Sequence, residues 1–158
     1  MLRETRNNEE DFLLSLKCNQ ENKMKINFKD SGGRVLLHLD IIGKEDSEDW
    51  LQAMVYFEQD GFRVDFKMSL MLNDLYAFID QLGFLQKNLK GEAVFDNIEG
   101  NINLKLSTDR LGHIVIDGSL WHPNNMDLKT SFKIDSDQTF LPNLITECKE
   151  IIRHYKLV

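Results

Sequence analysis

The chain has 158 residues, 42% apolar and 28% charged, with a formal net charge of −7 and a pI near 5.1. That length carries the core of one domain without disulfides or metal, and the acidic balance argues against a nucleic-acid partner, whose phosphates require a basic face. No apolar run approaches the ~20 residues of a membrane span. The opening MLRETRNNEEDF lacks a signal peptide's apolar stretch, and Cys18 and Cys148 have no CxxC spacing, so the expected compartment is the reducing cytoplasm.

Residues 1–23 read as a poorly patterned extension, in which EEDFLLSLK fits either a short helix or a strand. From Met24 the chain alternates apolar and polar residues, the period that puts one set of side chains on one face of a strand. The apolar set runs Met24, Ile26, Phe28; Val35, Leu37, Leu39, Ile41; Leu51, Ala53, Val55, Phe57; and Phe62, Val64, Phe66, Met68, Leu70. It resumes at Ile102, Leu104, Leu106; Ile114, Ile116, Leu120; and Met126, Leu128, Phe132, Ile134. The opposite phase is charged or small, as in Arg63, Asp65, Lys67 and Ser69, which predicts antiparallel strands wet on one side. DSGG, QDG, IEGN, TDRLG and HPNN supply hairpin turns.

Two segments switch to the helical period. Leu75, Phe78, Ile79, Leu82, Leu85 and Leu89 form one stripe, with Asn73 as the expected N-cap and Gly91 past the exit. Leu141, Leu144, Ile145, Cys148, Ile151, Ile152 and Tyr155 form the other, with Thr139 as its expected cap and Pro142 in the first turn. Residues 62–82 slide onto 128–148 at a constant offset of 66, matching strand phase, polar gap and helix phase together. The prediction for 24–158 is a single α+β domain. It has a largely antiparallel sheet of about eight strands, two helices on one face and a repeated ββββα unit.

The residues offer little chemistry. His38, His113, His122 and His154 show no metal-ligand spacing, and His38 alternates out of phase with the apolar set, toward solvent. Phosphate-binding glycine motifs and a GxSxG elbow are absent. Cys148 sits on an apolar stripe, where a thiol behaves as a small hydrophobe. Asp135 and Asp137, at the junction before the last helix, are read as acceptors for exposed backbone N–H groups rather than as an acid–base pair. No cofactor, no metal and no catalytic residue is expected. One acidic cluster, GKEDSEDW, places Glu45, Asp46, Glu48 and Asp49 in a loop between strands. It is either a solvated loop or a docking surface for a cationic partner. Trp121, in phase with His113, Val115 and Asp117, is the exposed aromatic that joins it as a partner-binding candidate, whereas Trp50 is expected to anchor a strand start in the core.

Taken together, MKINFKDSGGRVLLHLDIIG, the DWL at 49–51, LNDLYAFIDQL, GHIVIDGSL and DSDQTFL resemble the WapI family of bacterial immunity proteins, from about residue 24 to 156. The resemblance implies a non-enzymatic protein that binds and neutralises a cognate protein toxin, typically a basic nuclease domain. It transfers no functional residues, because its points of similarity are turns, strands and caps. The residues themselves leave a second reading open, a small-molecule or lipid-binding α+β module with a pocket between sheet and helices.

Overall fold

A computed structural model of the chain describes Glu10, residues 24–45 and residues 49–156. Among these, the alternating segments become β1 (Met24–Lys29), β2 (Val35–Lys44), β3 (Trp50–Gln59) and β4 (Phe62–Met71), leading into helix α1 (Leu72–Asn88). The order then repeats as β5 (Glu92–Asp96), β6 (Ile102–Thr108), β7 (Ile114–His122) and β8 (Asn125–Ser136), a 3-10 turn at Gln138–Phe140, and helix α2 (Leu141–Lys156). Two antiparallel four-stranded sheets result, ordered β1-β2-β3-β4 and β5-β6-β7-β8. This is the α+β fold and the ββββα duplication that the patterning predicts, with the strands divided between two sheets. β5, the strand that patterning did not single out, offers only Ala93 and Phe95 to the core.

Alternation explains why the sheets have an inside. In β3, Leu51, Ala53, Val55 and Phe57 are buried while Gln52, Tyr56 and Glu58 are exposed. The inner faces of both sheets and the apolar stripes of both helices form one continuous core. Aromatic rings join its layers. Phe57 of the first sheet stacks on Phe132 of the second with ring centres 4.1 Å apart. Phe78 of α1 lies between Phe28 of β1, at 6.3 Å, and Phe95 of β5, at 5.2 Å. Gly118 faces Phe132 across the β7–β8 ladder, and its missing side chain is what admits the ring: a Cβ there would overlap the Phe132 ring atoms.

The two halves seal each other's edges. β1 ends one sheet, and its outward Asn27 N–H donates to the Glu147 carboxylate of α2 at 2.8 Å, with the Asn27 side-chain amide donating to the same carboxylate at 2.9 Å. β5 ends the other, and Val94 both donates to Gln81 of α1 (2.9 Å) and accepts from it (3.3 Å). The turn after β1 reaches the end of β8, where Ser31 N–H donates to the Asp135 carbonyl at 2.7 Å. The turn after β5 reaches the end of β4, where Asn97 Nδ2 donates to the Ser69 carbonyl at 3.0 Å. An open sheet edge is an invitation to pair with another chain; at β1 and β5 side chains from the opposite half occupy part of it.

Several local expectations are corrected. Helix α1 starts one residue before Asn73: Met71 is its N-cap, and Asp74, in the first turn, reaches back to accept from the Met71 N–H at 2.8 Å. Leu89 is not on the helical stripe but is the C-cap, at φ 49°, its N–H bonded to the Leu85 carbonyl. Thr139 is capped rather than capping: its N–H donates to the Asp137 carboxylate at 2.9 Å. Met126 and Leu128 are 56% and 58% exposed despite their inward phase. β8 jumps from Lys129 opposite Trp121 to Asn125 opposite His122, so residues 126–128 bulge out of the ladder. Trp50 opens β3 but is only half-buried, out of phase with the core residue Leu51.

Candidate partner-binding surface

At one end of the molecule three segments converge: the loop between β2 and β3, the β4–α1 junction and the β5–β6 turn. The loop is closed by the Glu45 N–H donating to the Trp50 carbonyl at 3.0 Å, and its exit is tied to the helix by Leu72 N–H donating to the Asp49 carbonyl at 2.9 Å. Asp49 takes a left-handed conformation, φ 67°, and is exposed. The Glu45 carboxylate turns back onto β4, accepting from Ser69 Oγ at 2.5 Å. Asp46 and Glu48 lie outside the described residues.

The chain of contacts continues across the seam between halves. The Ser69 carbonyl accepts from Asn97 Nδ2, and Asn97 Oδ1 accepts from the N–H groups of Asn101 (2.8 Å) and Ile102 (3.2 Å). The Asn101 carbonyl in turn accepts from Trp121 N–H at 2.9 Å. Asn97 and Asn101 are 5% and 3% exposed; buried amides are tolerated where their bonds are made. Trp121 is half-buried, not free in solvent as its phase implied, and the Lys129 ammonium lies 4.8 Å from its ring centre. Glu45 and Trp121, 76 residues apart in the chain, thus belong to one hydrogen-bonded structure.

Sequence reading missed the carboxylates that other elements bring to the same end. Asp74 comes from α1, Asp96 ends β5, and Glu99 lies in the β5–β6 turn, where Ile98 is 71% exposed. Burial lifts the Asp74 carboxyl above its ordinary value near 3.8; the Met71 N–H opposes this and the Asp96 charge reinforces it. No short-range signal marked these residues, because each lies far along the chain from the GKEDSEDW loop. Only the IEGN turn was legible, and it was read as a turn.

Elsewhere, groups with chemical potential have structural employment. Cys148 is fully buried, and desolvation, with the nearby Glu147 charge, pushes its thiol up to about 12, so it stays protonated. Cys18 lies outside the described residues. Asp137 is held below the usual carboxylate range by the Thr139 N–H and hydroxyl, in keeping with its reading as a cap. His38, on the outer face of its sheet, stacks on Tyr56 at 4.8 Å and lies 3.5 Å from Asp40. Among the described residues no group of three or more His, Cys, Asp or Glu could hold a metal ion. No described helix is long and apolar enough to cross a membrane. An open groove of about 390 Å³ lies between the β3–β4 hairpin and β8, beside Phe62 and the stacked Phe57 and Phe132. It is a surface feature, away from the space between sheets and helices.

The family profile described as "Immunity protein WapI-like family" matches residues 13–156. It therefore reaches back beyond residue 24, where the resemblance in the sequence was seen to begin. None of the curated proteins compared with the chain matches it. A solved structure titled "Crystal structures of trypanosoma bruciei MRP1/MRP2" is similar in shape with a TM-score of 0.46 and 9% identity, over 88% of this chain and 92% of that one. With nearly its whole length inside that profile, the chain belongs to the WapI-like family of immunity proteins.

Proposed function

We propose that this protein is a non-enzymatic, stoichiometric antidote that binds a cognate bacterial toxin domain, basic and nuclease-like, through the acidic end of the molecule. Glu45, Asp46, Glu48, Asp49 and Trp121 are the contact residues we assign to it, with Asp96 and Glu99 extending the same field. Family membership supports the immunity role. The observation that supports this choice of surface is the hydrogen-bonded path that joins Glu45 through Ser69 to Asn97 on the β5–β6 turn, beside the exposed Ile98. An anionic field accelerates encounter with a cationic partner, and an aromatic anchor beside it slows release.

The test uses the C-terminal domain of the secreted protein encoded beside this chain's gene. Calorimetry should give one-to-one binding, and stopped-flow mixing an association rate that falls steeply with added salt. The charge-reversal pair Glu45→Lys and Asp49→Lys should weaken it by about tenfold or more. Absence of binding by the unaltered protein would remove the reading. Binding indifferent to both salt and charge reversal would keep the antidote but move the surface.

A further inference from the structure

The two halves build the same turn with two different residues, and the difference exposes a role. After β1, Asp30 Oδ1 accepts from the N–H groups of Gly32 (3.0 Å) and Arg34 (2.9 Å), and its carbonyl accepts from Gly33 at 2.9 Å. After β5, Asn97 Oδ1 accepts from Asn101 and Ile102, and its carbonyl accepts from Gly100 at 3.0 Å. Gly33 and Gly100 both supply the left-handed step, at φ 86° and 73°. A carboxylate therefore satisfies every demand of this turn in the first half.

What a carboxylate cannot do is donate. In the first half the tethers to the opposite sheet leave the Asp30 carboxylate out: Ser31 N–H donates to the Asp135 carbonyl and Ser136 Oγ to the Lys29 carbonyl. In the second half the tether is the side chain itself: Asn97 Nδ2 donates to the Ser69 carbonyl at 3.0 Å and to Asn101 Oδ1 at 3.2 Å. Ser69 then presents its hydroxyl to Glu45.

We propose that Asn97 is the positioning residue of the acidic face. Its amide donor clamps the end of β4 to the β5–β6 turn, and through Ser69 it holds the Glu45 carboxylate in the arrangement that the partner meets. This rests on the toxin-binding reading of that face. Aspartate would serve the turn alone, but the clamp needs the N–H that asparagine supplies.

Three full-length variants separate the roles. Asn97→Asp keeps the turn acceptor and removes the donor, Asn97→Ala removes both, and Ser69→Ala removes only the hydroxyl that Glu45 accepts from. Binding is measured to the toxin domain encoded beside the gene, at a temperature where circular dichroism shows each variant folded. Asn97→Asp should weaken binding by about tenfold, although its added negative charge alone would tighten binding to a cationic partner. Ser69→Ala should weaken it comparably, and the double variant should lose no more than the worse single one, since both act along one path. Asn97→Asp binding like the unaltered protein, or losses that add in full, overturns the proposal. If the unaltered protein binds nothing, the toxin-binding reading falls, and amide hydrogen exchange of the protein alone still judges the clamp. In Asn97→Asp the N–H groups of Glu45 and Leu72, which close and anchor the acidic loop, should exchange about tenfold faster while that of Ile102 keeps its protection. Unchanged exchange at Glu45 and Leu72 overturns it.

Discussion

Gln81 and Glu147 stand 66 residues apart and play equivalent parts, each projecting from a helix to satisfy the outermost strand of the sheet built by the other half. Gln81 answers both the N–H and the carbonyl of Val94, and Glu147 answers the N–H and side-chain amide of Asn27. The offset is the one at which the strand–helix pattern of the first half overlays the second. The duplication therefore extends from hydrophobic phase to individual hydrogen bonds.

If these helical side chains seal the edges, removing either leaves backbone groups of a half-buried strand without partners. Glu147→Ala should destabilise the fold by about 1–3 kcal/mol and Gln81→Ala by about 1 kcal/mol, the former larger because its acceptor is charged. Urea titration should show a lower midpoint at unchanged slope. Glu147→Gln should cost less than Glu147→Ala, since one acceptor oxygen survives. Unfolding curves that do not move would mean that water serves these edges equally well.

A side chain at position 118 has nowhere to go. Gly118→Ala should destabilise by about 1–3 kcal/mol through overpacking against the Phe132 ring. Adding Phe132→Leu should recover part of that loss, because the smaller side chain vacates the space above the glycine. Thermal melts of the single and double variants beside the parent check this. A Gly118→Ala variant as stable as the parent would show that the ring moves aside freely.

Asp74 and Asp137 should give stability opposite dependences on pH. The folded-state value of Asp74 is raised by burial and by Asp96, so its contribution is fully present below the unfolded value and is lost as pH rises through the folded one. Asp74→Asn should flatten that decline just above the ordinary carboxylate range. Asp137 is lowered by its bonds to Thr139; its contribution is present above the unfolded value and is lost as pH falls through the folded one. Asp137→Asn should remove that acidic-side slope, and guanidinium titrations at stepped pH read both.

Trp121 offers a test of the anchor apart from the charges. Trp121→Ala should weaken toxin binding by about 2 kcal/mol or more if it is a central contact, mainly through faster dissociation. An unchanged dissociation rate by surface plasmon resonance would leave Trp121 as a hairpin residue stacked under Lys129 and nothing more.

Much of this architecture was legible before any coordinates, because period two and period 3.6 are written directly into Leu51–Phe57, Phe66–Leu70 and the stripe from Leu75 to Leu85, although Phe62, read as inward, is 62% exposed at the open end of β4. The division into similar halves was legible for the same reason: register and phase are local properties that survive as a pattern along the chain. At the polar junction Asp137 was rightly read as a backbone acceptor, whereas Asp135 belongs to β8 and contributes its backbone carbonyl, and Thr139 is the residue capped rather than the cap.

The tertiary structure alone decided where the strands separate into two sheets, and which helix covers which edge. It also decided that a buried Asn97 joins an acidic loop to a tryptophan 76 residues away. Hydrophobic alternation states which side of a strand turns from water, and that preference is set residue by residue. Edge partners, the bulge that exposes Met126 and Leu128, the approach of Asp96 to Asp74 and the path from Glu45 through Ser69 to Asn97 depend on through-space neighbours, which no short window of sequence contains.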